Sequence, residues 1–165
     1  MKLLNGFVSL AAGLGFALLA TTAGAGTVVR AELWDKGAGM AMPTGFAYLA
    51  PGADPSKATM GIKLSRNIVR AHDGDVTFQV KNVSKDTIHE MIVMYLQDPS
   101  KALPYIDAEN RVDEDKAGDK GDVSELDPGK SGTLTLGLAP GKYLLICNVP
   151  RHYGAGMWTD FTVTP

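Results

Sequence analysis

Asp75-Val76-Thr77-Phe78-Gln79-Val80-Lys81-Asn82-Val83 sends Val76, Phe78 and Val80 to one side of an extended chain and Thr77, Gln79 and Lys81 to the other. Side chains alternate across a strand, so this run predicts a strand with one buried face and one wet face. The same period of two recurs on either side of it. Residues 132–138 set Leu134, Leu136 and Leu138 against Thr133 and Thr135, and residues 159–164 align Phe161 with Val163. Further strands are expected at 27–34, 60–65, 68–71, 87–95 and 141–147, with turn signals at His72-Asp73-Gly74, Asp127-Pro128-Gly129 and Ala139-Pro140-Gly141. Helix signals are weak throughout. Period-two strands at this spacing predict an all-β chain, an antiparallel Greek-key sandwich or barrel of about eight strands.

Two stretches depart from the pattern. Residues 36–57 form a loop rich in Gly, Pro and Met, and residues 107–127 hold nine acids against three bases. The acidic stretch reads as a solvated loop in preference to a docking device.

The chain has 165 residues, 45% apolar and 21% charged, which suits one domain with a buried core. Its net charge of −2 gives no basic footprint for nucleic acid. A single cysteine excludes an intrachain disulfide, a four-cysteine zinc or iron–sulfur site and a C-x-x-C redox pair. Lys2, an uncharged and mostly apolar run from 3 to 20, and Ala23-Gly24-Ala25 together read as a secretory signal cleaved after residue 25. An uncleaved anchor is the alternative. On the first reading, 26–59 is an N-terminal strand and loop, 60–165 is the core, and the mature protein is periplasmic or otherwise exported with no membrane span. A lone thiol in an oxidising compartment is exposed to oxidation, and a bound metal is one way to protect it.

The chemistry concentrates in Cys147-Asn148-Val149-Pro150-Arg151-His152-Tyr153-Gly154-Ala155-Gly156-Met157, which leaves the apolar strand Tyr143-Leu144-Leu145-Ile146. Four residues separate Cys147 from His152 and four separate His152 from Met157, so one loop can fold three ligands around a point. His89, after the loop Ser84-Lys85-Asp86-Thr87, offers a second imidazole. Two imidazoles, a thiolate and a weak thioether are the donor set of a blue-copper site. Each residue also has a plainer reading: Cys147 as a small buried hydrophobe, His89 as a strand-end histidine, Met157 as core. A catalytic Cys147–His152 pair is a sharper rival but has no third orienting group, and zinc is disfavoured because thioether binds it poorly. A binuclear centre needs two thiolates, and a second, catalytic copper would find only His72. One closed mononuclear centre points to electron transfer and not to an enzyme.

From about Met60 to the C-terminus the chain resembles the cupredoxins, the small blue copper proteins. The resemblance is carried by His72-Asp73-Gly74 with the strand that follows, His89-Glu90-Met91-Ile92-Val93, Leu126-Asp127-Pro128-Gly129-Lys130-Ser131, Pro140-Gly141-Lys142-Tyr143 and the Cys147 loop. That loop is similar in length to the loop of azurin and rusticyanin. Arg151 stands where many relatives have Gly. The resemblance implies a cupredoxin-like sandwich holding one copper ion, with His89, Cys147 and His152 as equatorial ligands and Met157 as the axial one. It implies a monomeric carrier that passes single electrons to redox protein partners docking at the His152 edge. The docking rim would be Pro150, Tyr153, Ala155, Met157 and Trp158, with Arg151 as a steering charge. Around the ligands, Asn82 is expected to tie loops together and the Asn148 backbone to donate to the Cys147 sulfur. Glu90 is expected to be an exposed strand-end acid, with a carboxylate supporting the ligands from behind as the alternative. The alternative function is copper tolerance or delivery, with Met40, Met42, Met60, Met91 and Met94 as added soft ligands for Cu(I).

Overall fold

The computed structural model describes residues 26–165; the segment 1–25, read as a signal, lies outside the described residues. The described chain runs through β1 (Thr27–Asp35), β2 (Met60–Leu64), β3 (Ile68–Arg70), β4 (Val76–Asn82), β5 (His89–Tyr95), β6 (Tyr105–Ile106) and β7 (Arg111–Val112). A short helix α1 (Glu114–Ala117) precedes β8 (Asp119–Leu126), β9 (Ser131–Leu136), β10 (Gly141–Ile146) and β11 (Trp158–Thr164). One sheet has the order β2-β1-β4-β9, the other β3-β11-β10-β5-β8, and β6 and β7 make a separate ribbon.

The alternating strands place their apolar sides between the sheets. Val29, Ala31 and Leu33 of β1 and Val76, Phe78 and Val80 of β4 meet Met91 and Val93 of β5, Tyr143 and Leu145 of β10, and Phe161 and Val163 of β11. Phe78 and Phe161, both wholly buried, pack edge to face at 5.3 Å. Each ring is the kind of core anchor whose truncation to alanine costs about 3–5 kcal/mol. The centre of the second sheet is apolar on both sides. Ile92, Met94, Leu144 and Ile146 point away from the first sheet, into a second cluster with Leu96, Leu103, Val112, Ala117 and Tyr153. Unbroken runs such as Met91-Ile92-Val93-Met94 therefore mark strands covered on both faces.

The expected all-β sandwich is present, and two details of it differ. The sandwich is mixed, since β1 runs parallel to β4 and β3 parallel to β11 while the other pairs are antiparallel. The long segment between Asp35 and Val76 supplies the crossover that a parallel pair requires. The acidic stretch is not simply a solvated loop. It contains β7, α1 and β8, and β8 forms the edge of the second sheet against β5. Val123 is the buried residue of that strand, so its polar composition hides it. Charged side chains along a sheet edge also discourage pairing with other chains. Opposite it, a Cβ at Gly132 would collide with the Val123 side chain, so a residue without one lets β9 approach β8. Among the described residues no helix is long and apolar enough to cross a membrane.

Candidate metal centre

His89 opens β5 and Cys147 follows the last residue of β10. These strands are antiparallel neighbours, with Ile146 opposite Ile92 and Tyr143 opposite Tyr95, so the start of one lies beside the end of the other. After Cys147 the chain coils tightly. His152 N–H donates to Val149 O at 2.9 Å, Ala155 N–H to Arg151 O at 3.0 Å and Met157 N–H to His152 O at 3.0 Å. Cys147 N–H then donates to Met157 O at 3.0 Å, which closes the loop on itself and turns His152 inward.

The three side chains converge. His89 Nδ1 lies 3.2 Å from His152 Nδ1, and Cys147 Sγ lies 3.3 Å from His152 Nδ1 and 4.0 Å from His89 Nδ1. Their exposures are 0% for His89 and Cys147 and 5% for His152. Nitrogen and sulfur bound to one ion at roughly 2.0–2.3 Å have separations of this order, so the group fits a single metal ion. Met157 is wholly buried in the same cluster as Cys147.

Electrostatics favour a cation at this point over nucleophilic chemistry. Burial pushes the Cys147 thiol up to about 12, against the opposing pull of the Glu90 and Val149 N–H groups. Burial, with His89 nearby, pushes His152 down to about 4. His89 is lowered as well, by burial that outweighs its carboxylate partner. Neutral imidazoles beside a sealed neutral thiol do not make an activated ion pair. A metal ion would displace the thiol proton and meet two imidazoles that are already neutral.

The surroundings hold these groups in place. Asn82, the buried end of β4, donates from Nδ2 to Thr87 O and Leu126 O, each at 2.8 Å, and accepts from Ser84 N–H at 2.9 Å. It thereby joins the 83–88 loop to the end of β8. The sulfur receives N–H groups from Glu90, at 3.5 Å, and from Val149. Asn148, expected to make that bond, instead donates its backbone N–H to Glu90 Oε1 at 3.0 Å. Its side chain reaches β7 and α1, accepting from Val112 N–H at 2.7 Å and donating to Glu114 Oε1 at 2.6 Å. Glu90 is correspondingly half-buried and not an exposed acid. Burial and then the Glu114 carboxylate push it up to about 7, opposed by the Asn148 N–H.

Sequence reasoning missed Asp35. Its Oδ2 lies 2.8 Å from His89 Nε2, and its Oδ1 accepts from Gly37 N–H at 2.7 Å. Burial raises its pKa, yet hydrogen bonds with Ser84, His89, Gly37 and Thr87 together hold it below the usual range. Position 35 precedes the stretch that carries the family resemblance, and nothing in the local sequence links it to His89.

The expected docking rim is narrower than the sequence suggested. Pro150 and Arg151 are exposed, but Tyr153 and Ala155 are buried at 2% and 0%. The segment 44–51 covers them. Phe46 N–H donates to Gly154 O at 3.0 Å, Trp158 Nε1–H to Phe46 O at 2.6 Å, and Tyr48 packs edge-on against Trp158. A cleft of about 410 Å³ remains beside the loop, lined by Tyr48, Leu49, Tyr105, Asn110, Arg151 and Tyr153 among others. Leu49, Asn110 and Arg151 have left-handed backbones, with φ of 62°, 55° and 75°, so this backbone strain gathers around one cleft. Of the remaining candidates, His72 is exposed beside Asp73. Met60, Met91 and Met94 are core residues, and Met40 and Met42 are partly buried against the core.

Comparison with known proteins agrees with this architecture. No family model matches the chain. A 41-residue stretch is 54% identical to auracyanin-B of Chloroflexus aurantiacus, a match covering 24% of this chain and only 17% of that relative. Among solved structures, the auracyanin of Roseiflexus castenholzii aligns over 86% of this chain and all of its own, with a TM-score of 0.52 and 21% identity. Rusticyanin from Thiobacillus ferrooxidans aligns over 86% of this chain and 79% of its own, with a TM-score of 0.53 and 16% identity. At such identities the likeness is one of fold: this chain shares its β-sandwich architecture with auracyanin and rusticyanin.

Proposed function

We propose that the protein is an exported type 1 copper protein that carries single electrons between redox partners. The observation that carries this reading is the sealed convergence of His89 Nδ1, His152 Nδ1 and Cys147 Sγ. Among the described residues these are the only such group of potential ligands. Two imidazoles with one thiolate, and Met157 as a thioether, form a donor set suited to both copper(I) and copper(II). Bound copper would supply the one-electron couple. The chain's own contribution is to fix the donors at the ends of paired strands, exclude water, and place the Glu90 and Val149 N–H groups on the sulfur. Such hydrogen bonds draw charge from a thiolate and favour the reduced state.

In this reading residues 1–25 direct export and the metal protects the lone thiol. Partners dock transiently where the His152 loop reaches the surface, at Pro150, Arg151, the visible edge of Trp158 and the adjoining cleft. Arg151 steers an acidic partner surface, and the protein acts as a monomer. Copper tolerance or delivery draws less support, because three of its five methionines are wholly buried. Copper titration with voltammetry separates the two functions. One copper per chain with fast reversible redox is expected. Two or more tight copper(I) sites, lost on substitution of Met40 and Met42, would instead establish copper handling.

A further inference from the structure

We propose that Asp35 is a positioning residue for the metal centre, turning His89 Nδ1 toward the ligand group and placing a negative charge behind the ring. The charge effect rests on the copper reading above; the positioning does not.

Asp35 ends β1, in the sheet opposite the one that carries His89 and Cys147. Its carboxylate crosses the end of the sandwich to meet the ring. The two side chains are 1% and 0% exposed. A carboxylate this deeply buried is rare unless paired, because it gives up its hydration. Here the Gly37 N–H donates to it at 2.7 Å besides the His89 contact, and the neighbouring Ser84 and Thr87 side chains further favour its ionised form. The carboxylate is thus held by Gly37 just beyond its own strand and by His89 of the opposite sheet.

That placement decides the tautomer. An ionised carboxylate only accepts hydrogen bonds, so the His89 nitrogen 2.8 Å away must carry the proton. The lone pair is then on Nδ1, the atom facing His152 and Cys147. Among the described residues no acid pairs with His152 in this way. A carboxylate behind a ligating imidazole makes it a stronger donor and favours the more highly charged metal ion. The Asp35 charge therefore works against the sulfur-directed N–H groups and lowers the potential.

Asp35→Asn tests the charge, since an amide oxygen can still accept from Nε2–H. It is expected to weaken copper(II) binding by about 10–100-fold, with a smaller loss for copper(I). Each tenfold difference between the two losses raises the reduction potential by about 59 mV for a one-electron couple. Asp35→Ala tests the positioning, read by nitrogen NMR of the metal-free imidazole. Wild type and Asp35→Asn should hold the Nε2–H tautomer, and Asp35→Ala should lose it. An unchanged potential and copper(II)/copper(I) affinity ratio in Asp35→Asn would overturn the charge role. A wild-type His89 protonated on Nδ1, or an Asp35→Ala variant with an unaltered tautomer, would overturn the positioning. If wild type binds no copper the functional reading fails, while the tautomer measurement still decides the role of Asp35. Should Asp35→Ala not fold, the tautomers of wild type and Asp35→Asn decide it.

Discussion

His89 and His152 present the same ring atom to the same point, yet they are held by different means. His89 starts a strand, is fully buried, and is fixed through Asp35, Asn82 and the 83–88 loop. His152 sits in a coil of turns directly after a left-handed Arg151, beside a cleft. Hydrogen bonds that bridge both sheets stabilise the first side. The second side tolerates a strained residue and offers a surface. The proposed electron transfer needs both: a site that does not reorganise, and one face where a partner can approach.

Asn82→Ala should have the largest effect, because it strands Thr87 O, Leu126 O and Ser84 N–H on the rigid side. A loss of about 4 kcal/mol is expected in chemical denaturation of the metal-free protein. A loss below about 1 kcal/mol would mean that this side is not specially braced.

The next effect is acid sensitivity without metal. The folded His152 titrates near 4, below its ordinary 6.5, so between those values the unfolded chain binds more protons than the native one. Stability is then full above pH 6.5 and falls as pH drops through that window, by about 3 kcal/mol from this group. His152→Gln should flatten the profile of unfolding free energy against pH. An equally steep profile in that variant would place the sensitivity elsewhere.

On the His152 side, Arg151→Gly should have the opposite sign to Asn82→Ala. With φ at 75°, glycine relieves a backbone strain of about 1 kcal/mol, and the thermal midpoint should rise. A fall would show that the Arg151 side chain contributes more than its strained backbone costs. The smallest expected effect is kinetic: Arg151→Glu should slow electron exchange with an acidic partner several-fold at low salt, with the difference vanishing at high salt. Equal rates at every ionic strength would dismiss Arg151 as a steering charge.

Residues that carry their own pattern were legible in the sequence. Val76, Phe78 and Val80 announce β4 by alternation, and Cys147 and His152 declare ligand chemistry by type and spacing. Features that depend on a distant partner were not. β8 has Val123 as its buried residue and is a strand because the edge of β5 offers it hydrogen bonds. The parallel pairing of β1 with β4 is set by the intervening crossover. Asp35 lies 54 residues from His89 and looks like any acid at a strand end. Glu90 is half-buried because the Asn148 loop and the Glu114 end of α1 lie beside it, which its local sequence does not reveal.

Whether His89, Cys147 and His152 hold one copper ion is decided by a visible spectrum recorded on adding copper(II) to the purified protein. One equivalent of copper and an intense thiolate-to-copper band that is absent in Cys147→Ser are expected. A colourless wild type, or a band that survives loss of the Cys147 thiol, would contradict this assignment.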